Sequence, residues 1–431
     1  MTRTAVIGAG ASGTLQALHL LRAGAEQVTL IERARAPGRG VAYSTGRPEH
    51  LLNVPARRMS AYGDDPGHFT RWFAARAGGG DEDFAPRMLY GDYLSGLLAA
   101  AGDRIAIVRG EAVGIDGEGV RLADGRPVAA DAIILAPGNF TPATPPGIDP
   151  ESLGALWIED PWAGDLAEGL GARDIVLLVG TGLTAVDVAL TLDATGYNGR
   201  IVALSRRGLA PRAHGLAEPL VTPPAEPLPS RCVALLRHVR ARAQEIGWHH
   251  AVHELRPVTQ PLWAGASRAE RRRFLRHLRP WWDVHRHRVA PAVGARIAAM
   301  QAEARLAVAA GKLVSAAPAE GGALVRFRVR GSDAVEALRV ARIVNCTGPE
   351  LDIVRAGDPL LSALLGAGKI RPDPLAIGID VDGECRAIGV DGRPSERLSV
   401  IGPVTRGTFW ESVAVPDIRG QAERVAARLT A

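Results

Sequence analysis

The stretch TAVIGAGASG, residues 4–13, decides the fold of the N-terminal part of the chain. It runs from an apolar segment of strand length into a G-x-G-x-x-G pattern formed by Gly8, Gly10 and Gly13, and then into a segment that is apolar at helical spacing. Glu32 ends the next strand-like segment. This order predicts a βαβ unit that binds a dinucleotide, with the pyrophosphate at the helix N-terminus and the ribose hydroxyls on Glu32.

The glycines of this turn have different predicted tasks. Gly8 permits the tight turn, Gly10 lets the main chain approach the pyrophosphate, and Gly13 allows close packing of the helix. Ser12 lies in the same turn and is included among the predicted cofactor-binding residues. In folds with two dinucleotide sites, the site that comes first in the chain most often holds FAD, so FAD is the cofactor predicted here.

A second unit of the same kind comes later in the chain, in which Gly180, Gly182 and Ala185 fit G-x-G-x-x-A between a predicted strand and a predicted helix. The next strand ends in Arg206 and Arg207 rather than in a carboxylate. Arginine forms charge-assisted hydrogen bonds with a 2′-phosphate, whereas an acid would repel it. The pair therefore favours NADPH over NADH, and the alternative is a solvated surface pair.

Two further apolar segments end in turns of small residues, at 136–139 and at 346–349. Such turns let the main chain come close to a bound molecule. Gly138 and Gly348 are therefore predicted to lie against a cofactor.

The composition suits an ordinary globular protein, with 431 residues of which 47% are hydrophobic and 23% charged, enough for two or three domains. Cys232, Cys346 and Cys385 are odd in number and far apart in sequence, which argues against a disulfide framework and against the disulfide-reductase branch of two-dinucleotide flavoproteins. His249, His250 and His253 have no cysteine or carboxylate partner at metal-ligand spacing except Glu254 and suit a polar helix surface, so no metal site is predicted.

No apolar segment approaches the length of a membrane helix, and residues 1–3 lead directly into a strand without room for a secretory leader. We therefore expect a cytoplasmic protein with no membrane partner; the oligomeric state stays open. The net charge is +5, but it is uneven, because residues 231–310 hold fifteen arginines against five acidic residues.

This basic segment also carries seven of the eleven histidines. Arginines interleaved with aromatic residues suit either nucleic acid or anionic small molecules, and we expect a cover on the substrate side rather than a nucleic-acid site. Ser267 and Glu270 predict a capping box that opens a helix, and Pro280 predicts its end. The candidates for lining the path of an anionic substrate are Trp282, His285 and Arg288.

Three longer stretches carry a family resemblance: GVAYSTGRPEHLLNVPARRMSAYGDDPGHF at 40–69, FLRHLRPWWDVHRHR at 274–288 and RGTFWESVAVPDIRGQA at 406–422. Together with the first glycine turn, they resemble the bacterial FAD/NAD(P)-binding protein family that includes the FAD-dependent urate hydroxylase. The layout is also similar to that of flavin N-hydroxylating monooxygenases. The resemblance spans nearly the whole chain.

The resemblance implies roles for several residues. Asn53 is implied to be catalytic, beside flavin C4a, with Met59 near the flavin; the alternative for Asn53 is a loop cap. Trp410 and Ser412 are implied to precede a helix whose N-terminus points to the flavin, where its dipole would stabilise negative charge on the reduced ring. Gly402 is implied to contact the flavin chain, although Pro403 stands where the superfamily usually has Asp.

We therefore predict an α/β fold of two dinucleotide-binding, Rossmann-like domains. Residues 1–150 and 346–431 would form a discontinuous FAD domain, and residues 151–345 an inserted NADPH domain with a helical insertion at about 209–310. The resemblance implies a flavin-dependent monooxygenase that uses NADPH and O2 to hydroxylate a small polar or anionic substrate, at nitrogen or carbon, through a C4a-(hydro)peroxyflavin. Two alternatives stay open: a flavin oxidoreductase or oxidase without oxygen insertion, and a non-catalytic redox sensor that binds FAD and NAD(P).

Overall fold

The computed structural model describes residues 2–34, 36–215 and 227–431. The strands, in chain order, are β1 Thr4–Ile7, β2 Val28–Glu32, β3 Ile105–Arg109, β4 Ala112–Ile115, β5 Gly119–Leu122, β6 Pro127–Ala129, β7 Ala132–Leu135, β8 Trp157–Ile158, β9 Ile175–Val179, β10 Arg200–Ser205, β11 Leu306–Ala319, β12 Gly322–Val329, β13 Val335–Val340, β14 Arg342–Asn345, β15 Arg386–Ile388 and β16 Pro394–Val400.

The helices, in chain order, are α1 Ala11–Arg22, α2 Gly40–Tyr43, α3 His68–Ala77, α4 Arg87–Ala101, α5 Pro150–Leu153, α6 Leu183–Ala194, α7 Cys232–His253, α8 Thr259–Gly265, α9 Arg268–Arg273, α10 Arg279–Arg286, α11 Pro291–Ala302, α12 Pro359–Gly366 and α13 Val415–Thr430. The α7 helix is interrupted at Gly247, where φ is 80°.

The first sheet has the strand order β15-β16-β7-β1-β2-β3, and its strands are parallel except for the β15 edge. Both faces of its central strand are covered. Val6 packs on the side of α1, and Ala5 and Ile7 pack towards the small sheet β4-β5-β6. A strand buried on both faces is apolar throughout, which is why residues 4–7 lack a polar alternation.

The second sheet has the order β13-β12-β11-β10-β9-β14-β8. Its long strand β11 pairs differently along its length. Residues 306–310 pair in parallel with β10, and the later residues pair antiparallel with β12. The α6 helix covers one face through Ala185, Val188 and Leu192. The β12-β13 hairpin contributes to the core on the other face.

The two sheets repeat one topology. The order β3-β2-β1-β7-β16 in the first corresponds to β11-β10-β9-β14-β8 in the second. In such sheets the crevice for a ligand opens beyond the carboxyl ends of the strands where the order reverses. These points lie between β1 and β7 and between β9 and β14, so the fold predicted from the two glycine turns is confirmed.

The strands of the first sheet come from residues 4–135 and 386–400, and those of the second from 157–345. The predicted boundaries at 150 and 345 lie between these groups and stay predictions about separate domains. The helices α7–α11 form the connection from β10 to β11, and the predicted insertion ends earlier than expected, because residues 306–310 belong to β11. Residues 216–226 of this connection lie outside the described residues.

Pro280 does not end a helix, which corrects the prediction from sequence. A π-turn at 274–278 follows α9, and Pro280 occupies the first turn of α10, where its missing N–H is not needed. Ser267 does cap α9 by accepting from the Glu270 amide. The Glu270 carboxylate, however, accepts from the amide of Cys232 at 2.7 Å.

None of the helices in residues 2–34, 36–215 and 227–431 combines the length and the apolar content that crossing a bilayer would need.

Candidate functional site

The two glycine turns have matching geometry. Gly8 has φ of +99°, and a Cβ added to it would lie 2.3 Å from the main-chain oxygen of Ala136. Gly180 has φ of +122°, and an added Cβ would lie 2.1 Å from the oxygen of Cys346. Each turn therefore packs against the end of the neighbouring strand across the switch point, and only glycine fits there.

The helix N-termini behind these turns are open to an anion. Gly10 and Gly182 are the N-caps of α1 and α6 in extended conformations, with φ of −69° and −82°. The first amides of each helix have no acceptor within the helix, so they are available to a phosphate. Gly13 lets α1 approach the turn, because an added Cβ would lie 1.8 Å from the Gly8 oxygen. These features fit a dinucleotide pyrophosphate.

Glu32 is half-buried at the end of β2. Its Oε2 accepts from the Ala9 amide at 2.6 Å, and its Oε1 accepts from the Ala34 amide at 2.7 Å. A carboxylate offers more lone pairs than these two bonds use. The contact with ribose hydroxyls thus stays a prediction that the geometry allows.

A cavity of about 870 Å³ lies between the part of the chain built on the first sheet and the part built on the second sheet. These parts are called here the first and the second nucleotide unit, and the cavity is called the first cavity. Arg33 and Asn139 line it from the first unit, and Leu183 and Thr184 line it from the N-terminus of α6. Its size is within the range of small-molecule and cofactor sites. Of the residues predicted from sequence, the cavity lining includes Asn53, Met59 and Gly348.

Asn53 and Met59 lie on the connection between α2 and α3. The main-chain oxygen of Asn53 accepts a hydrogen bond from His214 Nε2 at 2.9 Å. Met59 is buried, with 2% of its surface exposed, among aromatic residues of α3 and α4. The amide side chain of Asn53 is thus placed at the cavity by a backbone that is itself held in position.

The segment before α13 also reaches the first cavity. Glu411 and the residues 413–416 line it, so the N-terminus of α13 faces the cavity. Ser412 is 1% exposed, and its hydroxyl has no hydrogen-bond partner in the described part of the chain. Ser412 itself is not part of the described lining of this cavity. Trp410 points elsewhere and stacks on Trp263 with ring centroids 4.7 Å apart.

The structure brings Gly402 to the first turn of α1. Gly402 has φ of +84°, and an added Cβ would lie 2.6 Å from Ser12 Oγ. Its amide donates to Gln421 Oε1 at 2.8 Å. The second chain segment thus returns to the first glycine turn. Gly138 has φ of +75° and precedes Asn139 in the cavity lining.

Three arginines gather at the end of β10. Arg330 Nη1 donates to the Arg206 oxygen at 3.2 Å, and Arg207 Nη2 donates to a carbonyl oxygen at 3.3 Å. Burial lowers the pKa of Arg207, with Arg330 and Arg206 adding to the effect. Among the described residues, none of the three guanidinium groups forms a salt bridge. The sequence did not indicate that Arg330 joins Arg206 and Arg207, because Arg330 comes from the β12-β13 hairpin.

A buried ion pair that the sequence did not reveal joins the two units. Arg87 Nη2 contacts both carboxylate oxygens of Asp187 at 2.6 Å, and both residues line the first cavity. His50 Nε2 lies 2.9 Å from Thr191 Oγ1, also in α6. Burial lowers the pKa of His50 and so favours its neutral form. The loop that carries Asn53 is thereby fixed to the second unit.

A second buried pair ties the basic segment to the region before α13. Arg286 Nη2 lies 2.8 Å from Glu411 Oε2, and Trp282 Nε1 donates to Glu411 Oε1 at 3.2 Å. The two ionic side chains are 9% and 6% exposed. Burial raises the pKa of the nearby Asp417 to about 6, and Glu411 adds to this shift.

A second cavity, of about 420 Å³, lies within the basic segment and is called the aromatic cavity. Trp282 and His285 line it rather than the first cavity. Arg288 lines neither; it is 2% exposed, and its Nε donates to the His285 oxygen at 2.8 Å. Its predicted place on a substrate path stays a prediction that this position does not favour. The aromatic residues of the lining are Trp248, Trp263, Phe274, Trp281, Trp282 and Trp410.

Comparison with known proteins bears first on the first nucleotide unit. Residues 5–140 match a protein-family model described as FAD-NAD(P)-binding. The first unit is an FAD-NAD(P)-binding domain. The cofactor class predicted from the first glycine turn is confirmed at this level. No curated protein matches the chain in sequence.

Solved structures share the fold of the FAD-NAD(P)-binding domain and of the rest of the chain. L-lysine 6-monooxygenase from Pseudomonas syringae aligns with a TM-score of 0.68 at 16% identity, over 100% of this chain and 99% of that one. The ornithine N-hydroxylase from Kutzneria sp. 744 gives 0.66 at 15%, over 100% and 99%. The thioredoxin reductase from Lactococcus lactis gives 0.55 at 13%, over 99% and 97%. The TM-scores and coverages show a shared fold over the whole chain.

Proposed function

We propose that the chain is an FAD-dependent, NADPH-using monooxygenase that hydroxylates a small molecule. The observation that carries this proposal is the first cavity, which collects residues from both nucleotide units and from the N-terminus of α13. A monooxygenase needs both nucleotides and the substrate to meet in one place sheltered from water.

The first unit would hold FAD. The amides at the start of α1 would bind its pyrophosphate, and Glu32 would accept from its ribose. The N-terminus of α13 would face its ring system, where the aligned amides favour negative charge. When bound, FAD supplies the redox chemistry of this reaction, from hydride acceptance to oxygen transfer.

The second unit would hold NADPH. The N-terminus of α6 would bind the pyrophosphate, and Arg206, Arg207 and Arg330 would bind the 2′-phosphate. Three cations without carboxylate partners among the described residues are more favourably placed beside a phosphate than beside one another. This cluster supports NADPH over NADH more strongly than the sequence pair alone.

Asn53 would act on the substrate side. Its side chain lines the first cavity while its main chain is held by His214. An uncharged amide can donate and accept hydrogen bonds without changing protonation state, so it can position a reacting oxygen without delivering a proton to it early. Met59 would contribute apolar surface that keeps water from the site.

The neighbours named for lysine and ornithine hydroxylation favour this reaction class over thiol-disulfide exchange. The chain's three cysteines are all free and buried. Burial raises the pKa of Cys232 to about 11 and that of Cys385 to about 12. Thiols of this kind are poor nucleophiles and offer no dithiol pair.

We infer a neutral or anionic substrate. The basic segment beside the cavities holds fifteen arginines against five acidic residues. Ornithine and lysine, named for two neighbours, are cationic amines, and a cation would be repelled by this excess.

The deciding experiment is a metabolite screen for substrate-stimulated NADPH oxidation under ¹⁸O2. A monooxygenase places one labelled oxygen atom in the product, and release of hydrogen peroxide falls as substrate is added. An oxidase or reductase consumes NADPH without labelled product. A redox sensor shows no substrate-stimulated turnover.

A further inference from the structure

The aromatic cavity has no role in the proposed binding of either nucleotide. It is bounded by α7, α8 and α10 of the basic segment and by Trp410 of the FAD-binding unit. Five of the chain's eight tryptophans line it.

Two of these tryptophans are exposed at the surface of the cavity. Trp248 is 44% exposed and Trp281 is 48% exposed. Large aromatic side chains left in water at the rim of a concave apolar surface are typical of ligand-binding sites. Trp248 stacks on His285, with ring centroids 5.8 Å apart, so the rim is ordered by its own contacts.

The indole N–H groups in the floor of the cavity already have acceptors. Trp263 Nε1 donates to the Gly407 oxygen at 2.8 Å, and Trp282 Nε1 donates to Glu411. Burial lowers the pKa of His285 and so favours its neutral form. The interior thus presents ring faces rather than free polar groups, which selects an apolar body.

The charged residues of the lining are mostly positive. Among the described lining residues, Arg212, Arg240 and Arg271 are cationic and Glu270 is acidic. The Glu270 carboxylate is engaged with the Cys232 amide and with Arg273. Among the described lining residues, a ligand amine would find cations and no available carboxylate, whereas a ligand carboxylate would find cations.

The cavity also adjoins the first cavity. The α10 helix forms a common wall, since Trp282 and His285 face the aromatic cavity while Arg286 and His287 face the first. Trp282 and Glu411 touch across this wall. A ligand in the aromatic cavity would therefore be separated from the first cavity by α10.

We propose that the aromatic cavity is a binding site for a neutral or anionic molecule with an aromatic or aliphatic group, separate from the first cavity. The inference does not depend on the proposed function. Binding itself depends on the cavity alone, so it can be measured without turnover.

The test is calorimetric titration of the FAD-loaded protein, without NADPH, with 4-phenylbutyrate and with 4-phenylbutylamine. These probes share one apolar body and differ in the sign of their charge. We expect the carboxylate to bind at least tenfold more tightly than the amine, with a negative heat-capacity change from burial of apolar surface. Equal affinities, or tighter binding of the amine, overturn the charge assignment.

The location is tested by filling the cavity. Ala266 lines it directly after α8, while Ala264 in the last turn of that helix is exposed and does not. Ala266→Phe should weaken 4-phenylbutyrate at least tenfold, and Ala264→Phe should leave it unchanged. Leu236→Trp fills the cavity from α7 and serves as an independent second variant; flavin content reports folding of each protein. Unaltered binding in both filled variants overturns the proposal.

The two proposals fail separately. If filling the aromatic cavity abolishes binding and no product carries labelled oxygen, the monooxygenase assignment is contradicted and the cavity assignment stands. Labelled oxygen in a product, together with 4-phenylbutyrate binding that is unaltered in Ala266→Phe and Leu236→Trp, contradicts the cavity assignment and leaves the monooxygenase intact.

Discussion

The guanidinium group of Arg87 contacts both carboxylate oxygens of Asp187 at 2.6 Å, and this pair joins the first nucleotide unit to the second. Arg87 begins α4, Asp187 lies in α6, and their side chains are 19% and 7% exposed. Removing one member of a buried pair leaves the other charge without compensation, which typically costs about 3–5 kcal/mol.

We therefore expect Arg87→Met to lower the free energy of unfolding by about 3 kcal/mol, near the lower end because Arg87 is partly hydrated. Urea unfolding of the FAD-loaded protein measures this change. The double variant Arg87→Met with Asp187→Leu should lose less stability than the sum of the single changes. Additive losses would show that the two residues act independently.

The assignment of one nucleotide to each glycine turn can be tested with a matched pair. Gly10 and Gly182 both have extended conformations that any residue adopts, and nothing lies within 3.4 Å of an added Cβ at either. Gly10→Val should fold and lack yellow colour, because the side chain would obstruct the approach of the pyrophosphate. Gly182→Val should keep its FAD and lose reduction by NADPH.

Absorbance spectra and stopped-flow reduction measure the two effects, and circular dichroism checks folding. Normal flavin content in Gly10→Val is incompatible with the first assignment. If Gly182→Val loses its flavin but is reduced normally by NADPH after reconstitution with FAD, the second turn binds FAD and the first binds NADPH.

Sequence patterns predicted the parts of the fold that depend on local requirements. The glycines of both turns are needed by the turns themselves, so Gly8 and Gly180 could be identified without knowledge of their neighbours. Pro280 shows the limit of local rules, because proline suits both the stop after one helix and the first turn of the next. Here the π-helical residues 274–278 precede α10, and Pro280 lies in the first turn of α10.

The rest of the site depends on contacts between distant segments. Arg87 and Asp187 are 100 residues apart in sequence, and Trp282 and Glu411 are 129 apart. Arg330 joins Arg206 only because β12 pairs with β11 beside β10. Nothing in the composition or spacing of these residues specifies such pairing, so the sequence alone could not bring these residues together.

The arginine cluster at the end of β10 predicts the choice of nicotinamide cofactor. A charge-assisted contact of about 1.5–3 kcal/mol with the 2′-phosphate corresponds to a preference of roughly ten- to hundredfold for NADPH. Arg206→Ala with Arg207→Ala should raise KM for NADPH by that factor and leave KM for NADH nearly unchanged. Arg330→Ala should give a smaller change in the same direction.

Arg328→Ala, at an exposed position of β12 just before Arg330, is the matched control and should have no effect. Steady-state kinetics with both cofactors measure the ratio. A ratio that stays constant in the double variant would show that these arginines are a solvated surface group.

Asp417 predicts a pH dependence of stability. Burial raises its pKa from 3.8 to about 6, with Glu411 adding to the shift. The folded protein thus holds a proton that the unfolded chain has lost, so stability falls as pH rises from about 4 to 6 and stays lower above that. The neutral Asp417→Asn should stabilise the protein at pH 8 by up to about 3 kcal/mol and have little effect at pH 4.

Thermal unfolding of both proteins at the two pH values tests this, with Asp64→Asn as an exposed control. The positive charges of Arg256 and Arg286 oppose the shift, so removing either should raise the pKa of Asp417 further. An equal stability difference at pH 4 and pH 8 would mean that titration of Asp417 is not its cause.

Asn53 provides the most direct test of oxygen transfer. Its main-chain oxygen bonds to His214, a contact that survives when the side chain is removed, while the amide lines the first cavity. Asn53→Ala should therefore fold, bind FAD and be reduced by NADPH at the normal rate. Removing one hydrogen-bonding group from a reacting oxygen should lower product formation by about tenfold or more. The NADPH consumed should then appear as hydrogen peroxide.

The ratio of product to NADPH, measured beside peroxide release, reports this uncoupling. Asn198 is an exposed asparagine, and Asn198→Ala is the control. Full coupling in Asn53→Ala would remove Asn53 from the reaction and leave it a structural residue of its loop.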